Sequence, residues 1–267
     1  MNKIETLFLA LRQAGALIRK NFGRTHTIRF KNNSPINLLT EVDQAADRLI
    51  RRTIHARFPD HDFLTEESIP TERRSRFKWI VDPLDGTTNF AHDFPQVCTS
   101  IGLEEDGRVV LGGVYDPLRD ELFWAEAGHG AWLKHAGRRQ RIRVSPTPRL
   151  KQSLLLTGFP YDRREHADLY LSYMKAFMAK NQGIRRAGAA ALDLCWVACG
   201  RVDGYWEWRL KPWDCAAGKI IVEEAGGQLS DYSGRAYSIY GQQVLATNRR
   251  IHREMLAVMK RLRRSIA

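Results

Sequence analysis

Residues 77–94 read FKWIVDPLDGTTNFAHDF. Trp79, Ile80 and Val81 form the apolar run of a buried strand, and the run meets Asp82 at its end. A proline follows, then Asp85, then the turn Gly86-Thr87-Thr88. Carboxylates are rarely buried unless they are paired or hold a metal, so this strand end calls for a counter-charge. Gly86 lets backbone approach an oxyanion closely, and amides that open a helix can cradle phosphate.

Other acids also close apolar segments or open helices. Glu66 and Glu67 follow DFLT, Asp43 follows LLTEV, and Asp214 sits in KPWDCAAGKIIVEEAGG. Alone, each reads as a cap or a strand end. Together they offer three or more carboxylates to one point. With no Cys or His cluster beside them, the implied ion is hard and oxygen-loving, Mg²⁺ or Mn²⁺ rather than Zn²⁺. Mg²⁺ held by a few carboxylates usually takes phosphate as a further ligand.

The rest of the chain supplies a mixed α/β frame. Leu7, Leu11, Ala14 and Phe22 mark one face of an opening helix. Thr40 with Asp43 reads as a capping box before the amphipathic QAADRLIRRTIHARF, which stops before Pro59. HTIRFKNNSP is a strand or loop; DFLTEES and FKWIVD are short strands. VCTSIGLEEDGRVVLGGVYD predicts a hairpin about Asp106-Gly107, and ELFWAEAGHGAWLK continues an antiparallel sheet. Beyond Pro148, SLLLTGFP, GYWEW and QQVLATN are strands, with helices over 166–180, 188–200, CAAGKIIVEEAGG and 250–264. Strands and helices interleave in both halves, which predicts a mixed α/β layered fold.

The 267 residues are 43% hydrophobic, enough for a substantial core. The net charge of +12 fits either a phosphate, nucleic-acid or acidic partner or an Arg-rich solvated face. The densest basic runs, 134–143 and 260–264, lack the interleaved aromatics of a single-strand stacking platform. Cys98, Cys195, Cys199 and Cys215 form no C-x-x-C and read as reduced core residues of a cytoplasmic protein. The first 22 residues are helical in spacing and unlike a signal peptide, and no apolar run is long enough to span a bilayer.

WIVDPLDGTTNF followed by WDCAAGKIIVEEAGG resembles the inositol monophosphatase family, and TEES at 65–68 fits its third segment. LLTGFPYD, RRAGAAALDLCWVACGRVDGYWE and LKPWD are similar to its bacterial SuhB-type branch. The likeness runs in order from NLLTEVDQAAD to VLATN, nearly the whole chain. It implies an αβαβα layered sandwich of the Mg-dependent sugar-phosphatase type, one domain over 1–267. Its N-terminal half, 1–145, would carry most metal ligands; its C-terminal half, 146–267, would carry Asp214 and substrate contacts.

The resemblance also implies roles. Glu66, Asp82 and the carbonyl of Leu84 hold one Mg²⁺; Asp82, Asp85 and Asp214 hold a second. Two or three ions are implied, with Mn²⁺ as an alternative. Ions about 4 Å apart clamp the attacking and leaving oxygens of an in-line displacement by a metal-activated water. Thr87, Asp43 and Glu66 form the catalytic set. Gly86 and Thr87 amides face the phosphate; Asp85, Ala190 and Glu207 meet polyol hydroxyls; Asp214 lies beside the leaving oxygen. Glu207 alone would read as an exposed strand residue between two tryptophans. Glu67 is read as a hydrogen-bond support for its neighbour.

The activity implied is hydrolysis of myo-inositol monophosphate, with sensitivity to Li⁺. Related enzymes of the superfamily take fructose 1,6-bisphosphate, NADP or 3′-phosphoadenosine 5′-phosphate. The SuhB-type likeness also implies a homodimer and a role in ribosomal RNA transcription, with RNA polymerase and antitermination factors as partners. This chain departs from the family pattern at four places. Asn37 stands near a usual acid, and Lys31 is one residue out of count for a loop lysine. Ala187 and Ala189 replace hydroxyl-bearing residues, and Arg209 and Lys211 crowd Asp214. Lys31 is therefore left outside the site.

Overall fold

The computed structural model describes residues 2–25, 28–30, 37–71 and 73–266, with side chains as far as 262 in the last helix. Lys31 lies outside the described residues. The chain is layered as helix pair, seven-stranded sheet, helix pair, five-stranded sheet, helix pair.

The outer pair is α1 (Lys3–Asn21) and α2 (Glu41–His55). Leu7, Ala10, Leu11, Ala14 and Ile18 form the buried stripe of α1, and Ala46, Ile50 and Ile54 that of α2. This three-to-four spacing is the apolar face a sheet-packed helix needs. Both helices cover β4 (Phe77–Asp85), β5 (Cys98–Glu105) and β6 (Arg108–Asp116). A short ribbon, β1 (Ile28–Phe30) with β2 (Leu38–Thr40), leads into α2.

The seven-stranded sheet runs in order β3-β4-β5-β6-β7-β8-β9, with β3 (Asp62–Thr65) parallel to β4 and the later pairs antiparallel. The remaining strands are β7 (Glu121–Glu126), β8 (Ala131–His135) and β9 (Arg138–Arg141). β4 is apolar on both faces because both faces are covered. Trp79 and Val81 join the core under α1 and α2, while Ile80 joins the core on the other side. Removing the Trp79 side chain, which is wholly buried, would cost about 3–5 kcal/mol.

The middle layer is α5 (Ala190–Ala198) and α6 (Pro212–Glu224). α5 is buried nearly all round, as a helix between two sheets must be. The second sheet has order β11-β10-β12-β14-β13, where β10 (Leu154–Thr157) is parallel to β11 (Gly183–Arg185) and to β12 (Gly204–Trp208). β14 (Gln243–Thr247) runs antiparallel to β12 and to β13 (Gln228–Ser230). Its outer face packs on α4 (Ala167–Met178) and α7 (His252–Ile266) through Tyr173, Phe177, Trp206, Leu245 and Met255.

Three boundaries differ from the sequence expectation. β3 ends at Thr65, before Glu66. α6 begins at Pro212 rather than Cys215, since Pro fits the first helical turn. β4 does not stop at Asp82 but continues through Asp85 by a register shift: Asp82 pairs with Ser100 and Asp85 with Cys98. Three steps on β4 thus face two on β5. Pro83, which has no N–H to give the ladder, sits inside this bulge. All four cysteines are free thiols, and no described helix is long and apolar enough to cross a membrane.

Candidate active site

The bulge aims the end of β4 into a cleft of about 780 Å³ between the two sheets. Glu66, Asp82, Leu84, Asp85, Gly86, Thr87, Ala190, Glu207 and Asp214 all line it. Asp43 does not line it but reaches it through Thr87. Glu67 lies outside the lining.

Each side chain is fixed by the local fold. Asp82 is buried, and its Oδ1 accepts the Leu84 N–H at 3.1 Å, which tightens the bulge. Asp85 Oδ2 accepts the Ala191 N–H at 2.8 Å and lies 3.6 Å from the Cys98 thiol that donates to it. Gly86 takes the left-handed conformation, φ +91°, and caps the short helix α3 (Thr87–Ala91). A Cβ there would stand 2.7 Å from the Gln96 carbonyl oxygen, so the turn admits only glycine without movement. The first amides of α3 have no intrahelical acceptor and are available to an anion.

Asp43 and Asp214 share a design. Each is the third residue of its helix and closes that helix's start with one carboxylate oxygen. Asp43 Oδ2 accepts the Thr40 N–H at 2.8 Å and the Thr40 hydroxyl at 2.5 Å. Asp43 Oδ1 accepts the Thr87 hydroxyl at 2.9 Å, while the Leu84 carbonyl lies 3.1 Å from the same hydroxyl. Asp214 Oδ2 accepts the Lys211 N–H at 2.7 Å. Capping and site chemistry thus use opposite oxygens of one carboxylate in Asp43.

Glu207 is half-buried on β12 rather than solvated between its tryptophans. Its Oε2 accepts the Tyr205 hydroxyl. It lies against Gly158, where any Cβ would overlap the carboxylate. Burial pushes its carboxyl up to about 7, with the Tyr205 bond and Arg186 opposing.

Burial likewise raises Asp85, opposed by the Ala191 amide and reinforced by Glu66. Burial raises Asp214 well above the carboxylate range, with Glu66 next in effect. These acids crowd one another, and a cation relieves that repulsion. Among the described residues, no His or Cys lines the cleft. Asn37 also lines it, and among the described residues its buried Oδ1 has no hydrogen-bond partner. An all-oxygen set with an orphaned oxygen fits a hard divalent ion. Among the described residues no three acidic, thiol or imidazole groups form a finished cage. The carboxylates would have to draw in around the ion.

Sequence reasoning missed Arg163, Arg186, Tyr161 and Asp162, which also line the cleft. A signal existed. Each arginine belongs to a basic pair just past a strand of the parallel part of the second sheet, and ligands collect at such strand ends. Arg209 and Lys211 line the cleft as well, and Arg209 is ion-paired to Asp162.

The inositol monophosphatase family model matches residues 2–264. The inositol-1-monophosphatase of Synechocystis sp. is 44% identical over 253 residues, covering 92% of this chain and 84% of its own. The Nus factor SuhB of Escherichia coli K12 is 40% identical over 252 residues, covering 94% and 93%. The crystal structure of extragenic suppressor protein suhB from Bartonella henselae superposes with a TM-score of 0.90 at 36% identity, covering 96% and 98%.

Proposed function

The chain belongs to the inositol monophosphatase family, and on that premise we propose that it is a Mg²⁺-dependent phosphomonoesterase releasing phosphate from inositol monophosphate. One observation carries the reading. Four carboxylates from three distant segments, Glu66, Asp82 with Asp85, and Asp214, line one cleft beside the bonded pair Thr87–Asp43.

When bound, Mg²⁺ held by Glu66, Asp82, Asp85, Asp214 and the Leu84 carbonyl would polarise the phosphate oxygens and a water. The chain's own groups do the rest. Thr87 gives its proton to Asp43, so its oxygen keeps a lone pair to accept a hydrogen bond from the attacking water. Burial raises Asp43 despite its two Thr40 bonds, which suits it to drawing that proton chain toward itself. The amides of Gly86 and Thr87 receive the phosphate oxygens. The water oxygen bonds to phosphorus as the bond to the polyol oxygen breaks; the water's proton passes through Thr87 to Asp43, and the departing oxygen takes a proton from a solvent water beside Asp214. Glu207, Asp85 and the start of α5 at Ala190 hold the polyol hydroxyls. Glu207 is well placed for this because its carboxylate is already oriented by Tyr205.

A panel of inositol, sugar and nucleotide phosphates, assayed for phosphate release with Mg²⁺, Mn²⁺ and added LiCl, tests the reading. Highest kcat/KM on inositol monophosphate, with Li⁺ inhibition beyond a KCl control, is expected. Release from none of them would end it.

A second reading is supported by the likeness to a protein named as a Nus factor and by the +12 charge. We propose that a surface outside the cleft binds the transcription machinery, RNA polymerase or antitermination factors. Pulldown with an Asp214→Asn variant separates the two, because binding at such a surface survives loss of metal.

A further inference from the structure

α2 carries a second buried acid that the hydrolytic machinery does not use. Asp47 stands four residues after Asp43, so the two share one face of the helix. Asp47 is only 2% exposed. Its Oδ2 accepts the Ser68 hydroxyl, and the Arg51 guanidinium stands 4.0 Å from the same oxygen. Among the described residues its Oδ1 has no hydrogen-bond partner. An acid this buried is costly, and the inward stripe of a sheet-packed helix is ordinarily apolar.

Ser68 belongs to the loop that leaves β3 with Glu66. Residues 66–71 form no regular structure, so hydrogen bonds set their course. The far end is tied back to β3: the Thr71 N–H donates to the Phe63 carbonyl at 3.0 Å, and the Phe63 N–H to the Thr71 hydroxyl at 2.7 Å. At the near end the Glu66 N–H donates to the Val81 carbonyl at 3.2 Å and the Ser68 N–H to the Thr65 hydroxyl at 3.1 Å. These bonds keep the loop against its sheet, but β3 is an edge strand and no strand beyond it braces the loop. The Ser68–Asp47 bond reaches instead to α2, the helix that also holds Thr87 through Asp43. Supports of this kind orient a metal ligand, and losing one usually costs about ten- to a hundredfold in metal affinity or activity.

We propose that Asp47 is a positioning residue: through Ser68 it latches the loop that carries Glu66, and thereby sets how tightly Glu66 holds a divalent ion. The proposal rests on the metal-site reading above and extends it to two residues that do not line the cleft. One face of α2 then places both Thr87 and Glu66.

The test measures Mn²⁺ binding without substrate, from the loss of the free-ion EPR signal, with melting curves alongside. The proteins are wild type, Glu66→Gln, Asp47→Ala, Ser68→Ala, the Asp47→Ala/Ser68→Ala double variant and Asp47→Asn. Asp47→Ala and Ser68→Ala should each weaken Mn²⁺ binding by about tenfold or more, as Glu66→Gln does. The double variant should lie within about twofold of Asp47→Ala, because both changes break one contact. Asp47→Asn keeps an acceptor oxygen for the Ser68 hydroxyl and should return to within about threefold of wild type. A residue that serves stability alone would lower Tm and leave Mn²⁺ binding by the folded protein unchanged. Wild-type affinity in both single variants, losses that add in the double variant, or Asp47→Asn no better than Asp47→Ala would overturn the latch. In that case Mn²⁺ binding by wild type and its loss in Glu66→Gln leave the metal site standing, whereas a wild type that binds no Mn²⁺ ends both. If Asp47→Ala melts early, Ser68→Ala decides, since Ser68 is half-buried on the loop and its change leaves α2 intact.

Discussion

Glu207 stands between two tryptophans in the chain and faces the cleft in the fold. A strand glutamate between Trp206 and Trp208 invites a solvated reading, yet its carboxylate faces Gly158 and holds the Tyr205 hydroxyl. Gln keeps the shape and an acceptor but loses the charge. Glu207→Gln should therefore raise KM for inositol phosphate and lower kcat/KM by roughly tenfold to a hundredfold, the worth of about 1.5–3 kcal/mol for a charged hydrogen bond. The loss should be smaller on p-nitrophenyl phosphate, which has no matching hydroxyls, and the Mg²⁺ dependence should be unchanged. Equal losses on both substrates would move Glu207 to the metal or the reacting atoms. At this scale the sequence was most legible where a residue type forces chemistry, as in Asp82 and Asp85 at a strand end. It was least legible where position decides: the basic pairs holding Arg163 and Arg186 read as solvated until the parallel pairing of β10 and β11 sets them beside the cleft.

At the scale of elements, two devices carry measurable consequences. The first is the turn from β4 into α3. Gly86→Ala must adopt φ near +91° with its Cβ 2.7 Å from the Gln96 carbonyl oxygen. Such strain is worth about 1–3 kcal/mol, so the variant should melt earlier and lose at least about tenfold in kcat/KM as the amides shift. Wild-type turnover would remove the turn from phosphate binding. The second device is the start of α7. His252 is buried, its Nε2 3.0 Å from the Ser230 hydroxyl and its Nδ1 2.9 Å from that of Thr247. Burial lowers it from 6.5 to about 4. Between those values the unfolded chain binds more protons than the folded one, so this group's contribution to stability falls as pH falls through that window. The loss is at most about 3 kcal/mol. His252→Gln should flatten the slope of Tm against pH between 7 and 4.5 relative to wild type; parallel slopes would refute the assignment. Helices and hairpins were legible because their periodicity is local. The bulge at Pro83 and the sheet orders were not, because pairing is long-range. Likewise Arg139 stacks 3.9 Å above Trp132 across the β8–β9 pair, a contact invisible along the chain.

For the whole molecule, the layers place chemistry where the two sheets face each other. β3, β4 and α2 bring Glu66, Asp82, Asp85 and Asp43 from one side; β12 and α6 bring Glu207 and Asp214 from the other. Neither set completes the cleft alone, so activity should track the packing of α5 and α6 between the sheets. The central claim is that this joint acidic cleft hydrolyses phosphate esters with a divalent cation. The most direct measurement is phosphate release from inositol monophosphate by chelator-treated enzyme titrated with Mg²⁺, wild type beside Asp85→Asn. Wild type should be inactive after chelation and recover with Mg²⁺, and Asp85→Asn should stay at least about a hundredfold lower with an unchanged melting curve. Turnover without divalent metal, or a fully active Asp85→Asn, would contradict the account.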